Sequence, residues 1–123
     1  FPLAAGENVN DLAEFDAMTG GGVLGFVQPD LAKWGGVSGC LDVARRAAAH
    51  GVTYCPHFLG GGIGLVASAH VLAAQGGGGL LEMDVNPNPL RDALAADVLA
   101  VEGGHITLGD APGLGIMPDH LFV

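Results

Sequence analysis

Basic side chains are scarce in this sequence. Its 123 residues include four Lys and Arg against 13 Asp and Glu, which gives a formal net charge of −9 at pH 7. A protein that binds the nucleic-acid backbone needs a cluster of Lys and Arg to neutralise phosphates. Four basic residues in an acidic chain do not provide one, so we expect no nucleic-acid partner.

Long apolar runs and cysteine pairs are lacking too. No apolar run reaches the roughly 18 residues of a membrane span, and no signal peptide is recognisable. Cys40 and Cys55 are the two cysteines, and without a secretory context we expect both to be reduced. These features predict a cytoplasmic protein without a membrane partner. A nucleophilic Cys55 is disfavoured, because the strand pattern predicts that its side chain turns away from the loop end at His57.

Apolar residues and glycine are abundant instead. Half of the chain is apolar, 22 residues are glycine, and only 14% are charged, against a typical charged share of about 25%. This composition predicts one domain with a large core and many tight turns.

The order of the predicted elements is strand, loop, helix, repeated along the chain, which is typical of an α/β protein with a parallel sheet. Asn10 or Asp11 is expected to cap the first helix and Ser38 the second. The second helix should bury Leu41, Ala44 and Ala48 and end at His50-Gly51. The predicted strands are residues 1–5, 23–27, 52–55 and 80–84, and the predicted helices begin near residues 11, 38, 63 and 90.

A residue with polar chemistry lies near the end of each predicted strand. These residues are Glu7, Asp30, His57 and Glu82, spaced by about 25 residues, the length of one βα unit of a barrel. In such barrels the active site is built from the carboxyl ends of the strands. The spacing therefore predicts that the four side chains converge on one mouth.

The four side chains suggest acid/base chemistry beside a metal. Asp30 and His57 would lie on adjacent strands, where a carboxylate orients an imidazole as a general base or acid. Glu7 and Glu82 could each be a metal ligand or a protonated hydrogen-bond donor. A hard ion such as Mg²⁺ prefers several carboxylate oxygens, and Asp84 is the one weak additional candidate.

Structural roles compete with these functional ones. His57 could satisfy a loop hydrogen bond, and His50 is better explained as a helix cap. His70 is expected to be a packed structural histidine, and no partner is predicted for His105 or His120. Lys33 and Trp34 could contact a substrate at the mouth, although packing or solvent exposure is the simpler explanation.

The chain resembles the C-terminal part of the enolase superfamily, in its mandelate racemase/muconate lactonizing enzyme subgroup. The resemblance rests on an ordered set of motifs that covers nearly the whole chain. They are Gly6-Glu7-Asn8, Gln28-Pro29-Asp30-Leu31 with Gly35-Gly36, Pro56-His57, Gly62-Ile63-Gly64-Leu65 with Ser68-Ala69-His70, Leu81-Glu82, and Pro112-Gly113-Leu114-Gly115.

The resemblance implies the C-terminal half of a (β/α)7β TIM-like barrel. It implies that residues 1–100 form the last four βα units and that residues 101–123 return toward a capping domain. Glu7 would be one of three Mg²⁺ ligands. Asp30 and His57 would form the dyad that moves the proton next to a substrate carboxylate, and Glu82 would hydrogen-bond the developing enolate.

The resemblance also implies missing parts. The first two metal ligands, a catalytic Lys motif and most of the capping domain would lie before Phe1, so we expect a fragment of a longer chain that is inactive by itself. For the intact protein the implied reaction is dehydration of a sugar acid, in a homo-oligomer. The alternatives are racemisation or epimerisation of a 2-hydroxy acid or related carboxylate, and a non-catalytic half-barrel without a complete metal site.

Overall fold

Three parallel strands position the candidate residues in the computed structural model, which describes residues 1–117. The strands are β1 (Leu3–Ala5), β2 (Leu24–Val27) and β3 (Thr53–Tyr54), in the order β1-β2-β3. The helices α1 (Leu12–Gly20), α2 (Gly36–Ala49) and α3 (Gly62–Gln75) alternate with them. The predicted α/β class with parallel strands is confirmed.

Helix α1 begins where the sequence predicts. The side chain of Asp11 accepts hydrogen bonds from the backbone N–H groups of Ala13 and Glu14, at 2.6 and 3.4 Å. This satisfies two donors that the first helical turn leaves free. Phe15 is then buried against the sheet, with Leu12 and Met18 half-buried beside it.

Helix α2 begins earlier than predicted, so Ser38 is not its cap. The residue before the helix is Gly35, at φ +61°, where a Cβ atom would lie 2.7 Å from Cα of Gly39. A left-handed residue without a side chain fits there, and the helix starts at Gly36. The end at His50 and Gly51 is as expected, with Gly51 at φ +72°.

The buried face of α2 is also displaced from the predicted one. Leu41 is half-buried and Ala48 is exposed, although Ala44 is buried as expected. The way the helix lies on the sheet fixes which residues face inward, and this depends on contacts distant in sequence. The residues of α2 in the first core cluster are Cys40, Val43, Ala44 and Ala47.

The predicted fourth strand is not a regular strand. Residues 80–84 run beside β3, but only two backbone contacts tie them there: Leu80 N–H donates to the Cys55 sulfur and Glu82 N–H to the Pro56 carbonyl, both at 3.3 Å. A parallel ladder needs evenly spaced N–H to carbonyl bonds. Because the first of these bonds goes to a sulfur, no ladder forms.

The last described part packs on α3. Helix α4 (Pro89–Ala95) is shorter than predicted and is capped by Asn88, whose side chain accepts from the Arg91 N–H at 3.0 Å. The strands β4 (Val101–Glu102) and β5 (His105–Ile106) form a hairpin around the expected glycine turn. His120 lies outside the described residues. Between residues 1 and 117, no helix has the length and apolar character needed to cross a bilayer.

Candidate active site

Asp30 and His57 lie side by side because the sheet pairing continues past the ends of β2 and β3. The Cys55 N–H donates to the Val27 carbonyl at 2.9 Å, and the His57 N–H donates to the Pro29 carbonyl at 3.2 Å. The two side chains then meet, with 3.1 Å between His57 Nδ1 and Asp30 Oδ2. Only 5% of Asp30 and 8% of His57 is exposed.

The Asp30 carboxylate is held through both oxygens. Its Oδ1 accepts from the Ala32 N–H at 2.9 Å, while Oδ2 faces the imidazole. An ionised carboxylate can only accept, so the proton between Asp30 and His57 belongs to Nδ1. The lone pair of His57 is then on Nε2, which makes no hydrogen bond to the described part of the chain. A buried imidazole held in this tautomer is suited to proton transfer.

Glu82 is joined to the same strand end by a different side chain. Gln28 Nε2 donates to Glu82 Oε2 at 2.9 Å, in a partly buried contact between residues 54 positions apart. Both residues line a cavity of about 400 Å³ on the face of the sheet that carries Ala4 and Phe26. The other lining residues are Ala4, Phe26, Cys55, Leu80 and Leu81.

Gln28 is the site residue that sequence reasoning missed. It appeared only as part of the Gln-Pro-Asp motif. The signal that could have identified it is its place two residues before Asp30, since alternate residues of an extended strand point to the same side. The contact with Glu82 could not be read from the sequence, because it joins two distant segments.

Glu7 stands apart from the other three candidates. It is half-buried, and its Oε1 accepts from the Asn8 side-chain amide at 3.4 Å. Lys33 in turn donates to Asn8 Oδ1 at 3.0 Å. Lys33 is thus tied to the end of β1, and Trp34 packs against Phe15 with 6.0 Å between ring centroids.

The described residues do not form a magnesium site by themselves. No group of three or more His, Cys, Asp or Glu side chains among residues 1–117 is arranged to hold a metal ion. Asp84, the weak additional candidate, instead accepts from the backbone and side-chain N–H groups of Asn86, at 2.9 and 2.7 Å. Glu7, the ligand that the family resemblance implies, belongs to no such group.

The cysteines have structural surroundings. Burial raises the pKa of the Cys40 thiol to about 11, with a smaller opposing effect of the neighbouring Tyr54 side chain. Burial also raises the pKa of Tyr54. Cys55 lines the cavity beside Gln28 and Glu82, and His57 is not among the residues that line it. Its sulfur accepts the Leu80 N–H.

Two further histidines, His50 and His70, have contacts elsewhere in the fold. His50 closes α2 as expected. His70 on α3 lies 3.4 Å from the Leu114 carbonyl, measured from Nε2, so it contacts the chain beyond the hairpin. This agrees with the structural role predicted for it.

Curated relatives of this chain include sugar-acid dehydratases. It is 35% identical over 130 residues to a D-galactonate dehydratase of Verminephrobacter eiseniae, covering 94% of this chain and 32% of the relative. It is 32% identical over 114 residues to the arabinonate dehydratase of Saccharolobus solfataricus, covering 93% of this chain and 30% of the relative. The chain thus spans about a third of the length of these relatives.

Solved structures of mandelate racemase/muconate lactonizing enzymes are also similar to this chain. A mandelate racemase/muconate lactonizing enzyme from Bordetella bronchiseptica RB50 is 54% identical, with a TM-score of 0.90 over 98% of this chain and 34% of that chain. A related protein from Paracoccus denitrificans PD1222, complexed with magnesium, is 33% identical, with a TM-score of 0.67 over 92% of this chain and 30% of that chain.

The match to a family model is nearly complete along the chain. The model of the enolase C-terminal domain-like family matches residues 1–121 of the 123. It covers all of the strand ends that carry the candidate residues. The chain belongs to the enolase C-terminal domain-like family.

Proposed function

We propose that the whole protein removes the proton next to the carboxylate of a sugar acid and dehydrates that acid. The observation that carries this proposal is the buried pair of His57 and Asp30, with 3.1 Å between Nδ1 and Oδ2 at adjacent strand ends. The dehydratase relatives support the sugar acid as substrate. They also favour dehydration among the reactions that begin with α-proton removal.

His57 is the base in the first step. Its Nε2 takes the α-proton, and the electron pair of the C–H bond moves into the carboxylate group as an enediolate. Asp30 keeps the proton on Nδ1 and stabilises the imidazolium that forms. In the second step Nε2 returns the proton to the β-hydroxyl, the C–O bond breaks, and water and an enol leave. The enol then tautomerises to a 2-keto acid.

Glu82 contacts the enediolate in this proposal. A protonated carboxyl group donates a hydrogen bond to a developing oxyanion, and such a donor stabilises the transition state when it is held in advance. The contact with Gln28 leaves Oε1 of Glu82 free on the cavity side for that bond.

Magnesium belongs to the proposal as a cofactor. The magnesium complex of the Paracoccus denitrificans relative and the position of Glu7 at a strand end support it. The further ligands would come from outside residues 1–117, because this part of the chain holds no cluster that could bind the ion. In the same proposal residues 1–100 are one part of a barrel, and residues 101–123 lead back toward a capping domain.

Exchange of the α-proton with solvent tests the proposed step. The whole protein is incubated in deuterium oxide with galactonate and arabinonate, and deuterium at the α-carbon and the 2-keto product are measured. His57→Asn should reduce both by about 1,000-fold, since a positioned general base contributes about 100- to 10,000-fold.

The matched control is His105→Asn, which changes an exposed histidine at the start of β5. It should keep the wild-type exchange rate. Exchange at the normal rate in His57→Asn would refute the role of His57 as base.

Racemisation or epimerisation is the second candidate. The Bordetella bronchiseptica structure, with 54% identity, favours it because it is a mandelate racemase/muconate lactonizing enzyme. Such a reaction needs a base on each face of the α-carbon, and the described residues place one dyad on one face. The two candidates separate in the deuterium experiment: a racemase returns α-deuterated acid of inverted configuration, whereas a dehydratase yields a 2-keto acid.

A further inference from the structure

The end of β2 supports both candidate acid/base groups. Asp30 contacts His57 and Gln28 contacts Glu82. The two supporting residues are two positions apart in an extended segment, so their side chains project to the same side of the sheet. Gln28 and Glu82 line the cavity, whereas Asp30 and His57 are not among its lining residues.

The contact between Gln28 and Glu82 spans the neighbouring strand. Glu82 lies in the segment beyond β3, so this contact joins side chains from the two sides of that strand. Cys55, which directly follows β3, lines the same cavity, and its sulfur accepts the Leu80 N–H.

We propose that Gln28 is the positioning residue of Glu82 in the reaction. It holds Oε2, so that Oε1 alone faces the cavity at a fixed orientation. This inference rests on the proposed function, because it gives Glu82 a substrate to contact. It goes beyond that function by assigning a role to a side chain that does not itself touch the substrate.

The chemistry of the glutamine side chain suits this role. Its amide donates one proton to Oε2 without bringing a charge into the cavity, whereas Lys or Arg there would favour the ionised form of Glu82. The 2.9 Å distance is that of a good N–H to oxygen bond. Since Glu82 lies in a segment without a regular ladder, this bond supplies the orientation that sheet pairing gives to His57.

The kinetic test uses Gln28→Met in the whole protein, because methionine has nearly the same length and volume but no N–H donor. We expect kcat to fall by about 10- to 100-fold, the usual range for a lost bond to a carboxyl group, with KM changed less than about twofold. The isotope effect of an α-deuterated substrate should rise, because proton removal becomes slower relative to the other steps. Partial unfolding would lower kcat without moving the isotope effect.

Gln75→Met is the matched control, at the end of α3 and away from the cavity. It should leave both kcat and the isotope effect at wild-type values. If Gln28→Met also behaves as wild type while wild type exchanges the α-proton, the positioning role is refuted and the proposed function stands.

A spectroscopic test separates the inference from the activity. With ¹⁵N-labelled glutamine, the side-chain amide of Gln28 is assigned by its loss in Gln28→Met. Glu82→Gln should shift this resonance, and Glu7→Gln should not. An unchanged resonance in Glu82→Gln overturns the inference. A shifted resonance in a protein that exchanges no sugar-acid proton supports the contact and refutes the proposed function.

Discussion

The centre of the sheet and its two flanks hold their polar side chains in different ways. The centre is β2 and β3 with the loops to Asp30 and His57, and the flanks are β1 with Glu7 and residues 79–85 with Glu82. At the centre, the backbone pairing reaches the site itself, and Asp30 and His57 are 5% and 8% exposed. On the flanks, Leu3 is 46% and Leu80 is 73% exposed.

The flanks depend on side chains from the centre. Gln28 holds Glu82, and Lys33 contacts Asn8, which contacts Glu7. Among residues 1–117, β1 pairs with β2 alone, and residues 79–85 join no ladder. The pairing of β2 with the chain after β3 orients Asp30 and His57 through the backbone, whereas the flanks rely on a further side-chain contact. Polar residues at similar places in the sequence are therefore held by the backbone at the centre and by side chains on the flanks.

The largest expected effect concerns the flank after α3. Gly79 passes so close to β3 that an added Cβ would collide with the carbonyl oxygen of Tyr54 and the side chain of Leu72. Gly79→Ala should therefore push residues 80–85 away from β3 and lower the free energy of unfolding by about 2–3 kcal/mol. Urea unfolding measures this loss.

Gly78→Ala is the matched control, since nothing lies within 4 Å of a Cβ at that position. Its free energy of unfolding should stay within about 0.5 kcal/mol of wild type. Equal losses in the two variants would mean that the close approach to β3 is not what holds this flank.

A smaller effect is expected from the centre, where Cys40 is packed behind the sheet. Burial raises the pKa of its thiol to about 11 in the folded protein, against an ordinary value of 9.0 in the unfolded chain. Between these values the unfolded state binds fewer protons, so stability falls as the pH rises. We expect a loss of about 1–2 kcal/mol from pH 9 to pH 11.

Unfolding of Cys40→Ala over the same pH range isolates this thiol. The variant should lose less stability than wild type as the pH rises. Some decline should remain, because burial also raises the pKa of Tyr54. A decline as steep as that of wild type would show that Cys40 does not ionise in this window.

The smallest effect is expected at the flank with Glu7. Titration of Mg²⁺ into the 123-residue chain by calorimetry should show binding weaker than about 1 mM, which corresponds to about 4 kcal/mol. One carboxylate does not hold this ion well. Tight binding of one ion that Glu7→Gln abolishes would contradict the incomplete metal site described above.

The regular half of the fold could be predicted because its signals are local. Asp11 caps α1, Gly51 ends α2, and the strands that precede Asp30 and His57 are where the apolar runs predict them. The segment 80–84 has the same apolar pattern, yet it forms no strand. Its Leu80 N–H bonds to a sulfur on a neighbouring strand, and such a contact leaves no mark in the local pattern.

The candidate site could likewise be predicted only in part. The spacing of about 25 residues brought Asp30 and His57 together, since parallel strands place their carboxyl ends at one edge. The spacing does not determine how far Glu7 lies from the other three side chains. The roles of all four residues stay predictions. The prediction that Ser38 caps α2 was wrong, because the helix begins two residues earlier, directly after a glycine at positive φ.

The amino-acid sequence by itself determined the alternation of strands and helices, the acidic charge, and the residues that end each strand, because these follow from composition and short-range pattern. Only the tertiary structure decided which side chains hold those residues in place. Gln28 reaches Glu82 across 54 positions, and Cys55 receives the Leu80 N–H across 25. Such contacts depend on how the strands lie beside one another, and that arrangement is set by packing of the whole sheet against its helices.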